Sequence, residues 1–200
     1  MAVGQVHSQE TSLRDAAAVA RAEPAARRKS FARDVPALDL SAISLFVIND
    51  NEFVRTYMER LFSIMRVGRV VTCSDPLSAR DEIAPARPDI VVLDLDLTGV
   101  DGLELLRDIR RGDAGVPSDV AVLVASAYVD RGYVMKARES GASWMLVKPL
   151  SFRRLYEGLV RVIMDERPFV EIETFAGPDR RHLVGINGYD GDNRRGDARA

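Results

Sequence analysis

Cysteine, histidine and tryptophan are nearly missing from this chain: one Cys, two His and one Trp stand among 200 residues. The lone Cys73 excludes a disulfide within the chain and fits a reducing cytoplasm. It ends the apolar stretch Val70-Val71-Thr72-Cys73 and reads as a small buried residue rather than a reactive thiol. His7 and His182 lie far apart in polar segments and read as solvated side chains, not as metal ligands or bases. No apolar run approaches the ~20 residues of a membrane span. The N-terminus has no apolar core of a secretory signal, and Glu10, Asp15, Glu23 and Asp34 speak against a transit peptide. An excess of either charge is missing too. The 28 basic and 30 acidic residues leave a net charge of -2, so neither nucleic acid nor an anionic membrane is expected as the main partner.

What is present suffices for a core: 46% of residues are hydrophobic and 29% charged, and the length suits one domain with tails. Residues 1–40 are rich in Ala, Arg and small polar residues and are expected to be a disordered or weakly helical extension. From Ile43 a regular alternation begins. Apolar runs at Ile43–Ile48, Val70–Cys73, Asp89–Asp94, Val120–Ala125 and Trp144–Val147 predict five buried strands. Helically spaced apolar residues between them predict five helices. Asp75-Pro76 is expected to open the second helix, which should stop before Pro85. The domain is expected to span 41–165. Residues 166–200 should be a mostly disordered tail, with Phe169–Ile172 as one extended piece packed on the domain. Alternating strands and helices imply an open α/β parallel sheet covered on both faces.

In such sheets ligands bind beyond the carboxyl ends of the strands. Strand one ends in Asn49-Asp50, strand three in Asp94, strand four in Ser126 and strand five in Lys148-Pro149. Carboxylates, a hydroxyl and an ammonium therefore converge on one edge. Two close carboxylates repel, and a bound cation relieves that repulsion. Hard oxygen ligands suit Mg²⁺. An aspartate can act as nucleophile toward phosphorus, lysine can pair with a phosphoryl oxygen and serine can donate to another. The set fits phosphoryl transfer. A single Asp at a strand end is more often a turn or cap residue, which is the plain reading of Asp75 and Asp101.

The pieces Val47-Ile48-Asn49-Asp50-Asn51-Glu52, Val92-Leu93-Asp94, Asp101-Gly102, Val124-Ala125-Ser126-Ala127 and Val147-Lys148-Pro149, in this order, resemble the receiver domain of bacterial response regulators. The resemblance implies a flavodoxin-like (βα)5 doubly wound sheet with strand order 2-1-3-4-5. It implies that Asp94 accepts a phosphoryl group from a sensor histidine kinase or a histidine phosphotransfer protein. It makes Mg²⁺ the cofactor, held by Asp50, Asp94 and the main-chain carbonyl of Asp96. Asn49, where the family usually has a second acidic residue, would act through water. Ser126 and Lys148 would contact the phosphoryl group, and Lys148-Pro149 would be cis. Thr98 and Met145 depart from the family's usual proline and aromatic switch residue, with Trp144 beside the latter. Asp96 and Tyr128 flank the site and should influence acyl-phosphate hydrolysis. The segment Gly177-Pro178-Asp179-Arg180-Arg181 is similar to one that follows small stand-alone receivers.

With no output module evident, the chain is expected to be a cytoplasmic signalling protein rather than an enzyme. It would act on an unidentified downstream protein, and the resemblance allows a homodimer through helix four, strand five and helix five. Two other readings stand beside it. Leu93-Asp94-Leu95-Asp96-Leu97-Thr98 also resembles the DxDxT motif of haloacid-dehalogenase-like phosphatases, with Asp94 as nucleophile, Asp96 as acid–base and Lys148 on phosphate. The third is a receiver-like interaction module that works without phosphorylation.

Overall fold

The computed structural model describes residues 35–128 and 130–179. The expected disorder of residues 1–34 and 180–200, and both histidines, lie outside the described residues. Five strands, β1 (Ser44–Ile48), β2 (Arg69–Cys73), β3 (Ile90–Asp94), β4 (Ala121–Ser126) and β5 (Trp144–Val147), form one parallel sheet in the order β2-β1-β3-β4-β5. Helices α1 (Glu52–Ile64), α2 (Ala79–Ala86), α3 (Gly102–Arg111), α4 (Arg131–Glu139) and α5 (Phe152–Ile163) join them. This is the order and architecture expected from the sequence.

Alternation along each strand sorts the core into two layers. Leu45, Val47, Ile90, Val92 and Leu123 face Met58 and Phe62 of α1 and Leu155 and Leu159 of α5. Phe46, Ile48, Val91, Leu93, Val122 and Val124 meet Ile83, Leu103, Leu106, Ile109 and Ala137 of α2, α3 and α4 on the other face. Cover on both faces is why the central strands read as unbroken apolar runs. Four helices start on a side-chain cap: Asn51, Asp101, Asp130 and Ser151 accept from the amides of Val54, Leu103, Tyr133 and Arg154. No helix among the described residues is long and apolar enough to cross a membrane.

Three expectations need correction. Asp75-Pro76 opens a turn rather than a helix: the Asp75 carboxylate accepts the Leu77 amide at 3.0 Å, and α2 begins at Ala79. An Asx turn satisfies the same local amides that a cap would. The helix then runs through Pro85 to Ala86, where Arg87 closes it at φ 44. Pro85 falls in the last turn, so the helix forfeits one hydrogen bond at a frayed end rather than in its middle. Second, the fold begins before residue 41. Leu40 is buried in the first layer, and the Tyr156 hydroxyl accepts the Leu38 amide and donates to the Pro36 carbonyl, each at 2.8 Å. So short a segment carries no periodicity to read.

Third, the tail holds two strands, not one: β6 (Phe169–Ile172) and β7 (Phe175–Pro178) form an antiparallel hairpin. Arg110 of α3 anchors it. Its guanidinium is buried under the Phe169 ring, 5.6 Å from the centroid. It donates to the carbonyls of Gly141 (2.7 Å), Ser118 (2.8 Å) and Val120 (2.6 Å) and to Ser143 Oγ (3.2 Å). Burial pulls its pKa down to about 9, partly offset by Asp119, which still leaves a cation at neutral pH. Arg110→Ala would strand these acceptors, so we expect a loss of about 3 kcal/mol in chemical denaturation. Arg110→Lys should recover only part, because an ammonium cannot span the same fork. Equal stability of wild type and alanine variant would show that water replaces the guanidinium.

Candidate functional site

The strand ends deliver their polar residues to one edge of the sheet. Asp94 is the last residue of β3, and only 4% of its side chain is exposed. Lys148, just past β5, places Nζ 2.7 Å from both Asp94 carboxylate oxygens. The peptide bond after it, Lys148-Pro149, is cis, as expected. Asn49 follows β1 and is fully buried. Its Oδ1 accepts the Asn51 amide at 2.8 Å, which leaves Nδ2 to donate to Asp94 Oδ2 at 2.5 Å. The Asp96 amide donates to Asp94 Oδ1 at 2.9 Å. Asp94 is thus surrounded by donors.

Asp50 stands at the rim, where its Oδ2 accepts the Thr98 amide at 2.8 Å. Hydrogen bonding from Thr98 is the main reason its carboxyl sits below the usual range, against the opposing effect of burial. Asp96 is more involved than its expected role through a carbonyl. Its Oδ1 accepts the Ser126 hydroxyl at 2.8 Å, and its Oδ2 accepts the Ala127 amide at 2.8 Å and Lys148 Nζ at 3.1 Å. Burial opposes its ionisation, but these donors outweigh burial and hold its carboxyl low. Lys148 is the counterpart: burial favours the neutral amine, yet Asp94 and Asp96 together hold its pKa above the ordinary value.

The structure therefore brings Asn49, Asp94, Asp96, Ser126 and Lys148 into one hydrogen-bonded group, with Asp50 beside it. Tyr128 flanks the group as expected, and its amide donates to Ser126 Oγ at 3.0 Å. Tyr133, which the sequence marks only as a residue of the fourth helix, lies beside the site, its ring 5.7 Å from that of Tyr128. Burial raises the Tyr133 phenol, and Asp96 adds to the effect. The spacing of Asp96 two residues past Asp94 was the one signal for its side-chain role. The Arg161 guanidinium covers the Trp144 ring at 5.3 Å, and the indole packs on the first layer. Met145 packs against the second.

Comparison with known proteins accords with this geometry. The family model described as the response regulator receiver domain matches residues 45–160. The chain is 32% identical over 117 residues to the chemotaxis protein CheY of Listeria monocytogenes, covering 58% of this chain and 95% of that protein. It is 34% identical over 122 residues to the transcriptional regulatory protein AfsQ1 of Streptomyces coelicolor, covering 60% of this chain but only 51% of the relative. Among solved structures, the chemotaxis protein CheY4 of Vibrio cholerae superposes with a TM-score of 0.55 at 20% identity, covering 60% and 98% of the two chains. The N-terminal signal receiver domain of a two-component response regulator from Bacteroides fragilis gives 0.54 at 28%, covering 61% and 97%. Strand order and family match agree, and the chain belongs to the response regulator receiver domain family.

Proposed function

We propose that this chain accepts a phosphoryl group on Asp94 from a sensor histidine kinase or histidine phosphotransfer protein and signals through protein–protein contacts. The observation that carries the reading is the Asp94 carboxylate bridged on both oxygens by Lys148 at a strand end. A carboxylate oxygen of Asp94 attacks phosphorus. The bond from phosphorus to the donor's imidazole nitrogen breaks, and its electron pair stays on that nitrogen. Lys148 then pairs with a phosphoryl oxygen, and the Ser126 hydroxyl donates to another. The one turnover is the chain's own phosphorylation and its reversal.

Receiver domains bind Mg²⁺ at the phosphorylation site. Among the described residues no three Asp, Glu, His or Cys side chains form a closed cage. Mg²⁺ needs none, since it keeps several waters and takes one or two carboxylates with substrate oxygens. The donor set here fits: Asp50 and Asp94 would hold the ion with the Asp96 carbonyl, and Asn49 would act through water. When bound, Mg²⁺ supplies charge neutralisation to the transferring oxygens. A change of charge at Asp94 would bias the surface of α4, β5 and α5, to which Ser126 and Lys148 are tied.

The test is uptake of one acid-labile phosphoryl group from acetyl phosphate, read as a mass gain. It is expected with Mg²⁺ and not after chelation. A folded protein that stays unmodified would move the weight to an interaction module independent of phosphorylation.

A further inference from the structure

The donors that a phosphoryl group on Asp94 would need are already engaged. Ser126 Oγ, the Ala127 amide and Lys148 Nζ all point at the Asp96 carboxylate, at 2.8, 2.8 and 3.1 Å. Asp96 is a partly buried anion, with 18% of its side chain exposed, two residues past Asp94. Its two oxygens take up the hydroxyl, amide and ammonium much as two oxygens of a phosphoryl group would. Lys148 has three hydrogens and serves Asp94 and Asp96 together. The Ser126 hydroxyl and the Ala127 amide carry one hydrogen each and can serve only one strong acceptor, and a second anion there would be repelled by Asp96.

We propose that the Asp96 carboxylate occupies the phosphoryl subsite of the unmodified chain and must be displaced before Asp94 is modified. This rests on the phosphoacceptor reading of Asp94. Phosphorylation is then an exchange of one anion for another on the Ser126 hydroxyl and the Ala127 amide, with Lys148 pairing with either. Apparent affinity for a phosphoryl group falls by the fraction of molecules in which Asp96 has left. The exchange also moves a loop. The Tyr128 amide donates to the same Ser126 hydroxyl, so Ala127 and Tyr128, just past β4, are held in place while Asp96 holds Ser126. When Ser126 turns to a phosphoryl oxygen, that pair loses its anchor on Asp96. Asp96 thereby sets a threshold for phosphorylation and couples it to the start of α4.

Beryllofluoride, an anion that mimics a phosphoryl group, tests this on the full chain with Mg²⁺. The readout is the Ala127 amide resonance in labelled wild type and Asp96→Ala. The variant is expected to bind the ion about tenfold tighter and to take up phosphoryl from acetyl phosphate about tenfold faster, the size of a lost charge-assisted contact. In the ion-free wild type, the Ala127 amide proton should carry the downfield shift of a carboxylate-bound hydrogen. Ion-free Asp96→Ala should lose it. Asp96→Asn, which keeps the size and drops the charge, should bind the ion with intermediate affinity, and it carries the comparison if the alanine variant does not fold. Equal or weaker ion binding by the variants, with wild type still modified on Asp94, overturns the displacement and leaves the phosphoacceptor reading standing. An Ala127 amide indifferent to the substitution overturns it too, since loss of charge alone would then explain any gain in affinity. If wild type and variants take up neither ion nor phosphoryl, the phosphoacceptor reading fails and the displacement with it.

Discussion

Asp94→Asn is expected to take up no acid-labile phosphoryl group from acetyl phosphate while keeping its fold. The chemical reason is that an amide oxygen is a poor nucleophile and forms no acyl phosphate. The structural reason lies in the contacts. Asp94 accepts from Asn49 Nδ2, the Asp96 amide and Lys148 Nζ, and every one of these is a donor. An asparagine must turn its own NH₂ toward at least one of them, so a donor faces a donor in a buried place. That mismatch costs about 1–2 kcal/mol. Lys148 retains the Asp96 carboxylate, so its charge is not abandoned. The variant should therefore melt somewhat earlier than wild type but cooperatively, and mass spectrometry should find it unmodified with or without Mg²⁺. Undiminished uptake would place the acceptor on another carboxylate of the edge, Asp50 or Asp96.

The parts of this fold that could be read from the sequence are those in which one residue's neighbours decide its place. Val91-Val92-Leu93 alternates between two apolar layers whatever surrounds it, so both faces of β3 had to be covered. Asp101 and Ser151 sit directly before helical periodicity, and their side chains do cap. Asp94, Ser126 and Lys148 each end an apolar run, and in a parallel sheet the run's end is a position on the edge. Legibility failed where a distant contact decides. Asp75 had a turn and a cap open to it, both satisfied by the same short carboxylate. Leu40 enters the core because the residue's carbonyl accepts the amides of Ile43 and Gly68, the second of which is far along the chain. The hairpin of β6 and β7 rests on Arg110, a charged residue on the buried side of α3 that hydropathy assigns to water. The side chain of Asp96 belongs to the same class. Its partners Ser126, Ala127 and Lys148 come from two other strand ends.

Asn49→Asp should change sign with Mg²⁺. Asn49 contributes no charge to hold a cation: its Nδ2 hydrogen points at Asp94, and its Oδ1 is taken by the Asn51 amide. An aspartate keeps the Oδ1 contact and replaces the donor with a carboxylate oxygen. Without metal, two buried carboxylate oxygens then meet where Nδ2 lay 2.5 Å from Asp94 Oδ2. One of them must take a proton or move, at a cost of about 2 kcal/mol. The metal-free variant should unfold at lower denaturant than wild type. With Mg²⁺ the same repulsion becomes attraction, since a third carboxylate joins Asp50 and Asp94 around a divalent charge. Affinity should rise roughly ten- to a hundredfold at low salt, and less as salt screens the exposed rim at Asp50. The two stability curves should therefore cross as Mg²⁺ is added, because binding stabilises only the folded state and does so more for the tighter site. Denaturant melts at a series of Mg²⁺ concentrations would show the crossing. Parallel curves would mean that residue 49 does not sense the ion, and that this receiver holds its metal through Asp50 and Asp94 without help from the end of β1.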